Sequence, residues 1–185
     1  MKNLFVFLSA IAVMASCGQR QQQQAQPVEE PESAANVVEQ EAEATEDYPQ
    51  YTDFALPGTD NNLIRVSDFV AKNKLTLIDF WASWCGPCRA EMPYVSKAYT
   101  AFHQKGFEIV GVSLDGEREP WLNAIRELQL VWPQMSDLKG WECEGAQLYG
   151  VQSIPSNYLV DQKGRIVASN LRGDDLYNKV KELLQ

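Results

Sequence analysis

Histidine is nearly missing from this chain: His103 is the single one among 185 residues, and the cysteines are Cys17, Cys85, Cys88 and Cys143. A structural zinc site needs four ligands. Beyond the pair Cys85-x-x-Cys88, neither Cys143, His103 nor Cys17 stands at a second C-x-x-C or H-x-x-H spacing, so no metal centre is expected. Basic surface is lacking too. The formal net charge is −9, the opposite of the Lys/Arg-rich patch that nucleic acid requires. Long apolar runs are also wanting: Leu4 to Ala15 is too short to span a bilayer comfortably.

That apolar stretch follows Lys2, which gives it the basic start and short hydrophobic core of an export signal rather than of a fold element. The small residues Ala15 and Ser16 precede Cys17, and Met14-Ala15-Ser16-Cys17 resembles the lipobox of bacterial lipoproteins, with Met14 where leucine is usual. The resemblance implies cleavage after residue 16 and a lipidated Cys17, anchored by acyl chains at about 0.8 kcal/mol per buried methylene. The other reading is a soluble secreted protein whose Cys17 is incidental. From Gly18 to Asp47 come Gln21-Gln22-Gln23-Gln24 and a run of acids, with no basic residue after Arg20 and almost nothing bulky to bury. Such composition predicts a disordered tether with a reach on the order of 30 Å. Residues 1–47 hold two basic and eight acidic residues, net −6, which leaves −3 for residues 48–185, the expected folded domain. About 135 residues can bury a working core.

Within that domain, Tyr51–Leu56 and Leu63–Val66 predict a hairpin around Pro57-Gly58-Thr59-Asp60-Asn61-Asn62, with Ser67 as N-cap of a short helix. The run Leu75-Thr76-Leu77-Ile78-Asp79-Phe80-Trp81-Ala82 lacks alternation, which points to a central strand buried on both faces. Met92, Val95, Tyr99 and Phe102 recur at helical spacing, with Pro93 expected to kink that helix. Phe107–Ser113 reads as the next strand, Asp115–Gln129 as a helix begun around Asp115 and Pro120, and Gly140–Tyr149 as a shorter helix ended by Gly150. Two strands, 156–160 and 165–168, flank a turn at Asp161–Gly164, and Asp174 is expected to cap a last helix carrying Leu176, Val180, Leu183 and Leu184. This order predicts an α/β fold with a mixed sheet covered on both faces.

Between central strand and helix stands Trp84-Cys85-Gly86-Pro87-Cys88. In a helix begun at Gly86 and Pro87, Cys85 lies at the mouth, where unpaired N–H groups and the positive end of the helix dipole favour a thiolate. Cys88 lies on the same face one turn deeper, within reach of the first sulfur. Pro87 suits the first turn because the N–H it lacks has no intrahelical partner there.

The segment Asp79-Phe80-Trp81-Ala82-Ser83-Trp84-Cys85-Gly86-Pro87-Cys88 resembles the active-site segment of thioredoxin, and the continuation Arg89-Ala90-Glu91-Met92-Pro93 resembles the membrane-tethered TlpA/ResA-like thiol:disulfide oxidoreductases. The likeness runs from about Tyr51 to the C-terminus. It implies a thioredoxin-like three-layer α/β/α sandwich with an N-terminal β-hairpin extension. It also implies disulfide exchange through Cys85 as nucleophile and Cys88 as resolving thiol, with the redox-active pair in place of a dissociable cofactor.

Asp79 is an acid amid apolar neighbours; burial would raise its pKa and suit it to shuttle the Cys88 proton. The alternative is a solvated carboxylate at the strand end. Glu91, one turn beyond Cys88, is the rival, since TlpA/ResA-like proteins often use a glutamate there; its bland reading is helix-dipole stabilisation. The resemblance makes Ile154-Pro155 cis and places it against the pair; with Trp84, Gly86 and Pro87 these form the expected substrate-binding surface. Arg89 is a candidate for favouring the thiolates or a solvated helix charge. Trp81 reads as core, His103 as structural and Cys143 as an unreactive leftover, with a third redox role as its alternative.

The expected partners are disulfide-bonded exported proteins and a membrane electron donor of thiol-reducing type, with the protein a lipid-anchored monomer facing the periplasm. Gly18 after Cys17 lacks the aspartate that retains some lipoproteins at the inner membrane and so favours the outer membrane. Other readings are a disulfide oxidant or isomerase, and a metal- or haem-handling module in cytochrome or oxidase assembly. A peroxidase is disfavoured because the peroxiredoxin pattern of Pro and Thr is absent around Ile78 and Ala82.

Overall fold

The computed structural model describes residues 48–185; Cys17 and the segments expected to be an export signal and a tether lie outside the described residues. A five-stranded mixed sheet organises them, in the order β5-β4-β3-β6-β7. Its centre is β3 (Leu75–Trp81), parallel to β4 (Phe107–Ser113) on one side and antiparallel to β6 (Ser156–Asp161) on the other. Every residue of β3 and β4 is buried, which accounts for the missing alternation in their sequences. Leu77, Ile78 and Phe80 are fully enclosed, each contributing roughly 1.5–3 kcal/mol of apolar burial. The fold is the thioredoxin-like one that the sequence implied.

The outer strand β7 (Ile166–Ser169) pairs antiparallel with β6, as expected of a closing hairpin. At the other edge β5 (Gln134–Met135) runs parallel to β4, and no sequence pattern announced it. It exists because Gly111 of β4 leaves room for the Gln134 side chain, whose Oε1 accepts a hydrogen bond from Trp81 Nε1 at 3.0 Å. A Cβ at position 111 would run into that amide.

The hairpin extension is shorter than expected, with β1 (Ala55–Pro57) against β2 (Leu63–Arg65). Ser67 does not cap α1 (Ser67–Val70): the cap position is Val66, and Asp53 Oδ1 takes the Ser67 N–H at 2.9 Å from across the hairpin. The same carboxylate accepts from Arg65 Nη1 at 2.9 Å, so one remote acid replaces a local cap.

Helix α2 (Gly86–Phe102) passes through Pro93 without ending, and it buries Cys88, Met92, Val95, Ala98 and Phe102. Tyr99 is half-buried: it packs against the core beside Trp132, ring centroids 5.3 Å apart, and its ring also stacks on His103. Helix α3 (Arg118–Glu127) starts three residues later than the sequence suggested, because Asp115 is bound elsewhere and Pro120 falls in the first turn. The expected 140–149 helix is split into a 3-10 turn (Gly140–Glu142) and α4 (Glu144–Leu148), with Cys143 extended between them. Helix α5 (Asp174–Leu183) is capped at Gly173, whose φ of +53° suits glycine, and not by Asp174. The Asp174 carboxylate accepts from Lys97 of α2 at 2.8 Å, and Phe102 meets Tyr177 with ring centroids 4.9 Å apart, so α5 lies along α2. Among the described residues no helix is long and apolar enough to cross a membrane.

Candidate active site

The turn from β3 into α2 is tied to the end of β4. Leu114 N–H donates to Trp81 O at 2.8 Å. The buried Asp115 carboxylate accepts from Ser83 N–H at 3.0 Å, from the Ser83 hydroxyl, and from the Ser113 hydroxyl at 2.6 Å. Asp115 thus fixes the residues just ahead of the cysteines, which is why it does not start α3.

Cys85 occupies the N-cap of α2 in extended conformation, and its Sγ accepts the Cys88 N–H at 3.1 Å. An electron-rich sulfur here serves as the capping acceptor, stabilised by the exposed N–H groups of the first turn. The two cysteines are joined as a disulfide, Cα atoms 5.2 Å apart. Cys85 is 5 % exposed and Cys88 is fully enclosed, so a partner reaches only the outer sulfur. Gly86 and Pro87 are exposed beside it. The Ile154-Pro155 peptide is cis, and the Ile154 carbonyl oxygen stands 3.8 Å from Cys85 Sγ. The structure therefore brings Cys85, Gly86, Pro87, Ile154 and Pro155 together at one surface, with Cys88 enclosed directly behind Cys85.

Trp84 is exposed there and leans toward Trp141, with ring centroids 6.2 Å apart and both rings open to solvent. Trp84 also lines a depression of about 340 Å³ with Ser83, Asp115, Gly116, Glu117 and Pro120. Trp141 had no sequence signal of its own; an exposed aromatic in a short 3-10 turn becomes notable only when the chain brings it to Trp84.

Asp79 is buried in the centre of the sheet, opposite Gly111 of β4 and Asn157 of β6. Burial pushes its carboxyl up to about 7; Arg172 pulls it down, and Glu91 pushes it up. The solvated-strand-end alternative is thereby excluded. Glu91 is half-buried, and its Oε2 accepts the Gly173 N–H at 2.8 Å, an anchor between α2 and the start of α5. Arg172 donates to the carbonyls of Leu171, at 2.7 Å, and Pro155. Sequence reasoning passed over Arg172, which lies 17 residues from Pro155 in a loop with no motif.

The remaining candidates sit apart from this chemistry. Arg89 pairs with Glu127 of α3 at 2.7 Å. His103 lies at the far end of α2, its Nδ1 3.2 Å from Phe107 O and 3.7 Å from Glu108 Oε2. Trp81 is core. Cys143 is a buried free thiol that burial, the largest influence, pushes up to about 11, far from a reactive thiolate at neutral pH. Among the described residues no group of three or more His, Cys, Asp or Glu side chains is placed to hold a metal ion.

Residues 49–169 match the AhpC/TSA family. The thiol-disulfide oxidoreductase ResA of Oceanobacillus iheyensis is 37 % identical over 107 residues, 58 % of this chain and 53 % of that protein, so the chain spans about half of that relative's length. ResA of Bacillus thuringiensis is 29 % identical over 132 residues, 71 % of this chain and 73 % of that protein. Among solved structures, the thioredoxin domain of a thiol-disulfide oxidoreductase from Bacteroides vulgatus is similar with TM-score 0.69 and 39 % identity, covering 74 % of this chain and 96 % of that one. A thiol-disulfide oxidoreductase from Bacteroides fragilis gives 0.68 and 32 %, covering 73 % and 99 %.

Proposed function

The chain belongs to the AhpC/TSA family, and from that premise we propose that it is a thiol:disulfide oxidoreductase that reduces disulfides in exported proteins. The observation that carries the reading is the Cys85–Cys88 pair itself, with its outer sulfur at the N-cap of α2 and its inner sulfur enclosed. In the reduced protein the Cys85 thiolate attacks a substrate disulfide and forms a mixed disulfide; Cys88 then attacks Cys85, restoring the intramolecular bond and releasing the substrate as a thiol. The half-buried Ile154-Pro155 segment beside Cys85 is where an extended substrate strand docks, with Trp84, Gly86 and Pro87 as its apolar surround. Asp79, buried and held near neutrality, is the group suited to take the Cys88 proton. No dissociable cofactor is required, since the electrons are carried by the two sulfurs.

Gly86-Pro87 between the cysteines and Ile154 before the proline are the thioredoxin-like choices and favour the reducing direction. Lipidation at Cys17 would hold the domain at the periplasmic face of the cell envelope, at the outer membrane by the Gly18 criterion, with recharging by a thiol-reducing membrane donor. The measurement that decides direction is the reduction potential of the pair against glutathione. A value in the lower half of the range between about −270 mV and about −120 mV is expected, and a value near the upper limit makes the protein an oxidant.

A further inference from the structure

The loop between β7 and α5, residues 170–173, is gripped by two elements of the exchange site, β6 and α2. Asn157 of β6, which faces Asp79 across the ladder, clamps Leu171 by donating from Nδ2 to its carbonyl and accepting its N–H on Oδ1, both at 2.9 Å. Glu91 of α2 holds the Gly173 N–H. Between these, the half-buried Arg172 donates to two main-chain carbonyls, that of Leu171 and that of Pro155, and among the described residues it pairs with no carboxylate at salt-bridge distance. A guanidinium whose hydrogen bonds go to neutral carbonyls has no carboxylate neutralising it at contact, so its field acts on acids further away.

We propose that Arg172 is a positioning residue of the exchange reaction: it holds the Pro155 carbonyl, one residue beyond the Ile154 carbonyl that stands beside Cys85, and supplies the positive charge that lets Asp79 accept the Cys88 proton as a carboxylate. The inference rests on the exchange function proposed above and adds to it a residue that never touches the reacting sulfurs. In the resolving step the Cys88 thiol passes its proton to the Asp79 carboxylate, and the thiolate attacks Cys85 Sγ of the mixed disulfide. The Cys85–Cys88 bond forms as the bond to the substrate breaks, and the substrate sulfur departs with the electron pair. The neighbours of Asp79 on β4 and β6 are Gly111 and Asn157, which do not titrate. The charged groups that act on it are Arg172, which favours its ionised form, and Glu91, which disfavours it; the Cys85 and Cys88 thiols join them after reduction.

The test is the titration of the Asp79 carboxyl carbon by NMR in the oxidised protein, paired with the pH profile of insulin reduction, for the parent, Arg172→Met and Arg172→Lys. Removal of the charge raises the Asp79 midpoint by about one pH unit, and lysine, which keeps the charge, restores it. A carboxyl half ionised near pH 7 becomes about one-tenth ionised, so exchange at that pH slows about fivefold in the methionine variant and recovers at higher pH. An unmoved Asp79 midpoint in Arg172→Met, or an equal shift in Arg172→Lys, overturns the role of the charge. A shifted midpoint with an unshifted rate profile overturns the link to exchange. An unsubstituted protein that titrates as described but reduces no disulfide refutes the parent function, visibly before any variant is made, and with it the exchange half of this inference.

Discussion

Asp79 is where pH acts on this protein. Its carboxyl sits at about 7 when folded against an ordinary 3.8, so between those values the native state holds a proton that the unfolded chain has released. Stability from this group is therefore fully present below the lower value and falls as pH rises through the upper one. Asp79→Asn removes the penalty. In urea unfolding of the oxidised protein the variant is expected to match the parent near pH 4 and exceed it at pH 8, by up to about 4 kcal/mol for a shift of about three units. Equal stabilities at pH 8 would mean that the carboxyl is not desolvated. The same substitution is expected to slow resolution of the mixed disulfide at neutral pH by about a hundredfold or more, the usual worth of a positioned base. Cys143 is the opposite case: buried, with its thiol pushed up to about 11, it is expected to resist iodoacetamide in the native reduced protein and to react only after denaturation. Peptide mapping that finds native labelling of Cys143 alongside Cys85 would reopen a redox role for it.

At the scale of elements, the site depends on how α2 is entered. The Asp115 carboxylate accepts from Ser83 and Ser113 across the ends of β3 and β4, so Asp115→Ala leaves the Ser83 N–H and the Ser113 hydroxyl without their acceptor. A destabilisation of about 2–4 kcal/mol is expected in thermal or urea unfolding, together with slower exchange, because the turn that presents Cys85 loses its anchor. A loss below about 0.5 kcal/mol would show that the turn is held by other contacts. Elements were legible in the sequence where their cause was local: the unbroken apolar run of β3, the helical spacing of Met92, Val95 and Phe102, and the Cys85-Gly86-Pro87-Cys88 turn. Elements whose cause is distant were not. The β5 edge depends on Gln134 filling the space above Gly111, the late start of α3 on Asp115 reaching back to Ser83, and the entry to α5 on Glu91, 82 residues earlier in the chain. Asp115, Ser67 and Asp174 were all plausible caps by residue type. In each case a tertiary partner decided the outcome: Ser83 took Asp115, Asp53 took the Ser67 N–H, and Lys97 took Asp174.

Over the whole molecule, the cysteines, Trp84, Gly86, Pro87 and the Ile154-Pro155 pair were all readable as a site, because a short motif and a family resemblance named them. Arg172 and Trp141 were not, since neither forms a motif and each matters only through what the fold sets beside it. The proposed anchor is tested separately: Cys17→Ser is expected to shift the protein from the membrane fraction to the soluble one, and retention at the membrane would remove the lipid from the account. The claim on which the rest depends is that Cys85 leads and Cys88 resolves. The direct measurement is covalent trapping by reduced Cys88→Ser and Cys85→Ser variants, resolved on non-reducing gels and located by mass spectrometry. The account predicts stable mixed disulfides through Cys85 in the first variant and none in the second. Adducts carried by Cys88 in Cys85→Ser at a comparable level would contradict it.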